Sequence, residues 1–101
     1  MTSEEMVQYL LDQLDDPDVS AKSMFGGRGI YRHGRMFALV YGGLVYMKVT
    51  KEEAKTSDRP PFRPRENSIY PTFREVFAEE LEDPSMLASL ARKAQEAASA
   101  G

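Results

Sequence analysis

Apolar residues first recur at Met6, Val7, Leu10, Leu11 and Leu14, a spacing that draws one stripe along a helix. Thr2 or Ser3 stands at the cap, and Glu5, three residues after Thr2, completes a capping box. Asp15-Asp16-Pro17 ends the pattern, because a residue before proline is pushed out of helical geometry. A first helix over about Ser3–Asp15 follows.

From Ser23 to Val49 the pattern changes to short runs separated by glycine. His33-Gly34 and Gly42-Gly43 have the composition of two-residue hairpin loops, whose positive φ angles glycine accepts without strain. Three strands in a meander result. Two-residue loops set Tyr31 opposite Met36, Ile30 opposite Phe37, Val40 opposite Val45 and Leu39 opposite Tyr46. One face then carries Phe25, Gly27, Gly29, Tyr31, Met36, Ala38, Val40, Val45, Met47 and Val49, and is assigned to the core. The other carries Ile30, Leu39 and Leu44 together with Arg28, Arg32, Arg35, Phe37, Tyr41, Tyr46 and Lys48. That mixture of cations and aromatics is unlike a plain solvent face.

Thr50 and Glu53 form a second capping box before a short helix, Lys51–Lys55. Ser57–Glu66, with three prolines and three arginines, reads as a loop. Asn67–Phe73 reads as a further strand, and Pro71, which cannot donate a ladder hydrogen bond, puts it at an edge or a bulge. Val76, Phe77 and Leu81 mark a helical turn. Asp83-Pro84 starts a last helix, with Met86, Leu87, Leu90, Ala91 and Ala94 as its stripe, to about Ala98. The expected fold is α+β: two layers, a central antiparallel sheet of a three-strand meander plus at least one further strand, and N- and C-terminal helices. No repeat or linker divides residues 1–101, so one domain is expected.

Composition narrows the function classes. The chain has 101 residues, no cysteine and a net charge of −3. Disulfides, thiolate chemistry and cysteine metal sites are excluded, and so is a bulk polyanion binder. No apolar run approaches the roughly 20 residues that span a bilayer. The N-terminus is acidic and lacks a signal-peptide pattern, so a cytoplasmic location without membrane attachment is expected. Charge is unevenly placed: Lys22 to Lys51 holds only cations, while the acids gather at the two ends. Complementary pairing between neighbouring elements is the simpler account of that asymmetry.

Candidate chemistry is sparse. Gly26-Gly27-Arg28-Gly29 leads into a strand and fits neither a phosphate loop nor a dinucleotide fingerprint. His33 is the single histidine and falls at a hairpin tip, which argues against a metal centre or a catalytic triad. No catalytic, cofactor-binding or metal-ligating residue is assigned. The mixed face has three readings. It is an interface for a protein partner or for self-association, where arginine and aromatics are enriched. It is a nucleic-acid platform, with aromatics stacking bases and cations holding phosphates. Or it is covered by the last strand region or by the arginine-rich loop.

The run Met24-Phe25-Gly26-Gly27-Arg28-Gly29-Ile30-Tyr31, followed by Gly34, Met36, Phe37, Ala38, Leu39, Tyr46, Lys48 and Val49, resembles the N-terminal domain of the TfoX/Sxy family, regulators of natural competence in bacteria. Leu81-Glu82-Asp83-Pro84, Leu87, Ala91, Arg92 and Ala94 continue the likeness, which covers about residues 5–98. Two departures stand out. Residues 71–77 replace the family's usual M-x-Y-Y-x-V-P strand, and the chain stops before the helical domain that follows in the competence regulators. The resemblance implies an α+β fold and brings no catalytic residues. The expectation is therefore a non-enzymatic regulatory or protein-interaction module, with a homodimer as one form; a nucleic-acid-binding accessory is the alternative.

Overall fold

A computed structural model describes residues 2–24 and 26–100. Phe25, expected on the core face, lies outside them. In chain order the elements are α1 (Ser3–Leu14), β1 (Val19–Met24), β2 (Gly27–Arg32), β3 (Arg35–Tyr41), β4 (Leu44–Lys48), α2 (Lys51–Thr56), β5 (Pro61–Arg65), β6 (Ser68–Val76), α3 (Ala78–Leu81) and α4 (Pro84–Ala100). The strands form one six-stranded sheet in the order β1-β2-β3-β4-β6-β5, and every neighbouring pair is antiparallel. The expected α+β architecture with an antiparallel sheet and terminal helices is what the chain adopts.

Local chemistry accounts for the element ends. Both expected capping boxes form, Thr2 with Glu5 and Thr50 with Glu53. Asp15 terminates α1 in a left-handed conformation with φ 47°. His33 and Gly34 take φ 51° and 77°, and Gly42 and Gly43 take 58° and 79°, the signature of type I′ hairpins. Asp83 accepts hydrogen bonds from the N–H groups of Ser85 and Met86 at the start of α4.

Val19–Met24 is a strand that the sequence reading left unassigned; its small side chains (Ser20, Ala21, Ser23) left no clear alternation to read. The expected loop after α2 needs correction. Pro61–Arg65 is a strand, not a loop. It lies at the sheet edge, where a proline's missing N–H faces solvent at no loss. β6 is internal, between β4 and β5, and of the two expected placements for Pro71 the bulge holds rather than the edge. Pro71 is tolerated because β4 pairing ends at Lys48–Phe73, and because the β5 register breaks between Pro61–Arg74 and Phe62–Tyr70.

A second correction concerns the sheet faces. Tyr31 opposes Met36 and Leu39 opposes Tyr46 as expected, but Ile30 opposes Ala38 rather than Phe37. Phe37 is the extra residue of a bulge, which switches the facing of everything beyond it. Ile30 and Phe37 therefore join Ala38, Val40, Val45, Met47 and Val76 beneath the helices, packed on Val7, Leu10, Leu87, Ala91, Ala94 and Ala98. Gly27, Gly29, Tyr31 and Met36, expected in that core, belong to the opposite face with Leu39 and Tyr41.

The bulge explains why residues 27 and 29 are glycines. A Cβ on Gly27 would come within 2.4 Å of the Val40 carbonyl oxygen, a backbone atom of the neighbouring strand. A Cβ on Gly29 would meet the Tyr31 ring at 2.8 Å and the Met36 sulfur at 2.9 Å, both side-chain atoms able to swing aside. Gly27→Ala should therefore destabilise the protein by about 1–3 kcal/mol, and Gly29→Ala by less. Urea unfolding midpoints of the two variants rank them; an equal or reversed ranking would contradict the close β2–β3 approach.

Candidate interaction face

The sheet has two unlike sides. All helix residues of the core lie on one. The other holds a second cluster made only of strand residues: buried Leu39, Tyr46, Phe62 and Phe73, with half-buried Met24, Met36 and Tyr41 against them. Adjacent strands lie about 4.8 Å apart, so a flat sheet would separate β3 from β5 by roughly 14 Å. Yet the rings of Tyr41 and Phe62 are 5.2 Å apart between centroids, in an edge-to-face arrangement. Tyr46 is also 5.2 Å from Phe62, and Tyr70 is 5.5 Å from it. The β5–β6 hairpin thus curls over this face, the bend being taken up at its two register breaks. Part of the arginine-rich segment covers the aromatic surface, as one of the three sequence readings has it.

The bulge divides the seven candidate residues. Tyr41, Tyr46 and Lys48 share the open face. Tyr46 is 8% exposed, and burial, with a contribution from Glu75, pushes its phenol above the usual value. The Lys48 ammonium donates to Thr72 Oγ1 at 3.3 Å and lies 5.1 Å from the centre of the Phe73 ring.

Arg28, Arg32, Arg35 and Phe37 lie on the helix side. Phe37 is fully buried there. Arg28 pairs with Glu4 of α1, and its buried Nε has no partner. Arg32 Nε donates to Asp16 at 2.9 Å, and Arg32 and Asp18 lie 3.9 Å apart. The hydrogen bond from the Asp18 N–H, followed by that from Arg32, holds the Asp16 carboxyl below its usual range. Arg35 reaches the Ala98 carbonyl at 3.5 Å, near the negative end of α4. These contacts are complementary charge between neighbouring elements, as the asymmetry along the chain suggested.

Sequence reasoning placed Leu44 on this face but missed Tyr70; Leu44 is 44% exposed and Tyr70 48% exposed. Lys22 is 5.1 Å from the centre of the Tyr31 ring. One signal was present: Met36-Phe37-Ala38-Leu39-Val40-Tyr41 has no polar residue and no alternation, which marks a strand buried on both sides.

Elsewhere the polar groups are committed to structure. A groove of 330 Å³ between α2, β6 and α4 is floored by Met47, Val76 and Leu90. Two guanidiniums line it. Arg74 donates to the carbonyls of Pro71, Arg59 and Ala54, and Arg59 grips both Glu80 carboxylate oxygens at 2.6 Å. Among the described residues no three His, Cys, Asp or Glu side chains converge to hold a metal ion. No helix among them is long and apolar enough to cross a membrane.

No curated protein matched the chain. The family model described as the TfoX N-terminal domain matches residues 10–98, which take in the described strands, α2, α3 and α4 up to Ala98. With Gly27, Gly29, Ile30 and Tyr31 of the M-F-G-G-x-G-I-Y run on β2 and the L-E-D-P run capping α4, the chain belongs to the TfoX N-terminal domain family.

Proposed function

We propose that this chain is a non-enzymatic regulatory module, cytoplasmic, that binds protein through the open face of its sheet. One observation supports this above the others: all the helices pack on one side, leaving Met24, Met36, Tyr41, Leu44 and Tyr70 at a partly exposed apolar surface on the other. Methionine and tyrosine suit adaptable, partly wet contacts. Tyr46 and Lys48 support and rim that surface. A nucleic-acid accessory role has less in its favour, because Arg28, Arg32 and Arg35 lie on the opposite side, leaving Lys22 and Lys48 as the cations beside the aromatics.

The test uses the half-exposed positions, since Phe37 and Tyr46 support the fold. In the double variant Leu44→Asp, Tyr70→Asp, circular dichroism should be unchanged. Retention of proteins that the wild-type chain captures from its native extract should fall by about tenfold or more. Equal retention by a folded double variant would refute the open-face reading.

A further inference from the structure

We propose that β1 is the docking edge for a second copy of this chain, the two β1 strands pairing antiparallel into one continuous sheet. This stands apart from the open-face reading. An open sheet has two edges, and here they are treated differently. β5 is blunted by Pro61 and Pro64 and by two register breaks. β1 has no proline, and all six of its residues pair with β2 without a shift. Its side chains are small, with Ser20, Lys22 and Ser23 exposed and Ala21 half-buried.

Hairpin geometry fixes which backbone groups look outward. The His33-Gly34 turn closes the pair Arg32–Arg35, so Arg32 directs its backbone groups to β3 and the adjacent Tyr31, opposite Ser20, directs its own to β1. Alternation then commits Lys22 and Ser20 to β2 and points Val19, Ala21 and Ser23 away from it. The Val19 N–H is already taken by the Asp16 carbonyl at 3.0 Å. Outward donors remain on Ala21 and Ser23, and outward acceptors on Val19, Ala21 and Ser23. That set is self-complementary when Ala21 opposes Ala21 of the second copy. The two alanines exchange a pair of bonds, and each Ser23 N–H meets the other copy's Val19 carbonyl.

Charge selects the same arrangement. Lys22 is the sole charge on β1. With Ala21 at the centre, Lys22 opposes Ser20 of the second copy, and the two ammonium groups are offset along the strands rather than directly opposed. In-register parallel pairing, or an antiparallel register centred on Lys22, would instead set the two ammonium groups against each other.

The absence of cysteine makes single-thiol probes clean. Wild-type protein should be dimeric by light scattering at about 100 µM. On mild oxidation Ala21→Cys should link into covalent dimers about tenfold faster than Ser20→Cys, because directly opposed residues fall within disulfide reach and diagonal ones do not. Ala21→Pro, which removes an outward N–H and leaves the β2 ladder intact, should shift the protein toward monomer. The folded Leu44→Asp, Tyr70→Asp variant should remain dimeric, which separates this edge from the open face. A monomer at that concentration, equal linking at positions 20 and 21, or a folded Ala21→Pro variant that stays dimeric would each overturn the proposal.

Discussion

Phe37→Ala should destabilise the protein by about 3–5 kcal/mol, the range for emptying a fully buried aromatic site. That is a large part of the 5–15 kcal/mol typical of a whole domain, so the variant should unfold at markedly lower urea. The reason lies in the bulge. Phe37 has no opposing residue on β2, and its ring is turned under the helices, into the larger of the two core clusters. Its neighbour Met36 points to the other face and is half-buried there. Met36→Ala should therefore cost clearly less. Chemical denaturation of the two variants measures the difference. A larger loss at Met36 than at Phe37 would mean that the strand faces the other way.

The second large effect is expected at Glu80, the one charged residue counted as buried among those described. Its carboxylate accepts both terminal nitrogens of Arg59 and also the Phe77 N–H at the start of α3. Arg59 further donates to the Glu75 carbonyl at 3.1 Å and lies against the Phe77 ring. One side chain thus ties the segment before β5 to the segment after β6. Glu80→Gln should cost about 2–3 kcal/mol at neutral pH, the scale of hydrogen bonds to a charged group. The part of Arg59 that stays in water keeps the figure from being larger.

That loss should depend on pH in a defined direction. The Arg59 hydrogen bonds hold the Glu80 carboxyl below its usual range, aided by the Phe77 N–H and opposed by burial. The folded pKa is therefore lower than the unfolded one. The stabilisation is complete above the ordinary carboxylate range and is lost as pH falls through the lowered value. The gap between wild type and Glu80→Gln should be widest near neutrality and close in acid. A gap that stays constant from neutral to acid pH would show that the Glu80 charge contributes nothing.

Legibility varied with the range of the interactions involved. The α1 and α2 caps, the two I′ hairpins, the start of α4 and the alternation on β4 could all be read directly. Each is decided within a few residues, by a side chain satisfying nearby backbone groups or by glycine accepting positive φ. The ion pairs joining Arg28 and Arg32 to the acidic N-terminal region were legible only as a class, as opposite charge gathered in separate segments. Which cation met which acid depended on where the sheet edge came to lie against α1.

The open face shows the limit. Hydrophobic alternation, extended from two correct turns, put Tyr31 and Met36 in the helix-side core and Arg28 beside Tyr41. One extra residue at Phe37 reversed that arrangement. A bulge leaves almost no local mark, because it is stabilised by distant partners: α1 and α4 above Phe37, and Val40 against Gly27 across the ladder. Strand β5 was hidden for a related reason. Proline forbids a central strand but not an outward edge, and the sequence does not say where the edge falls. Residue order alone settled the elements with local signals, the α+β class and the family. The three-dimensional packing alone settled which side of each strand is buried, because side-chain facing is cumulative along a ladder and a single long-range contact resets it.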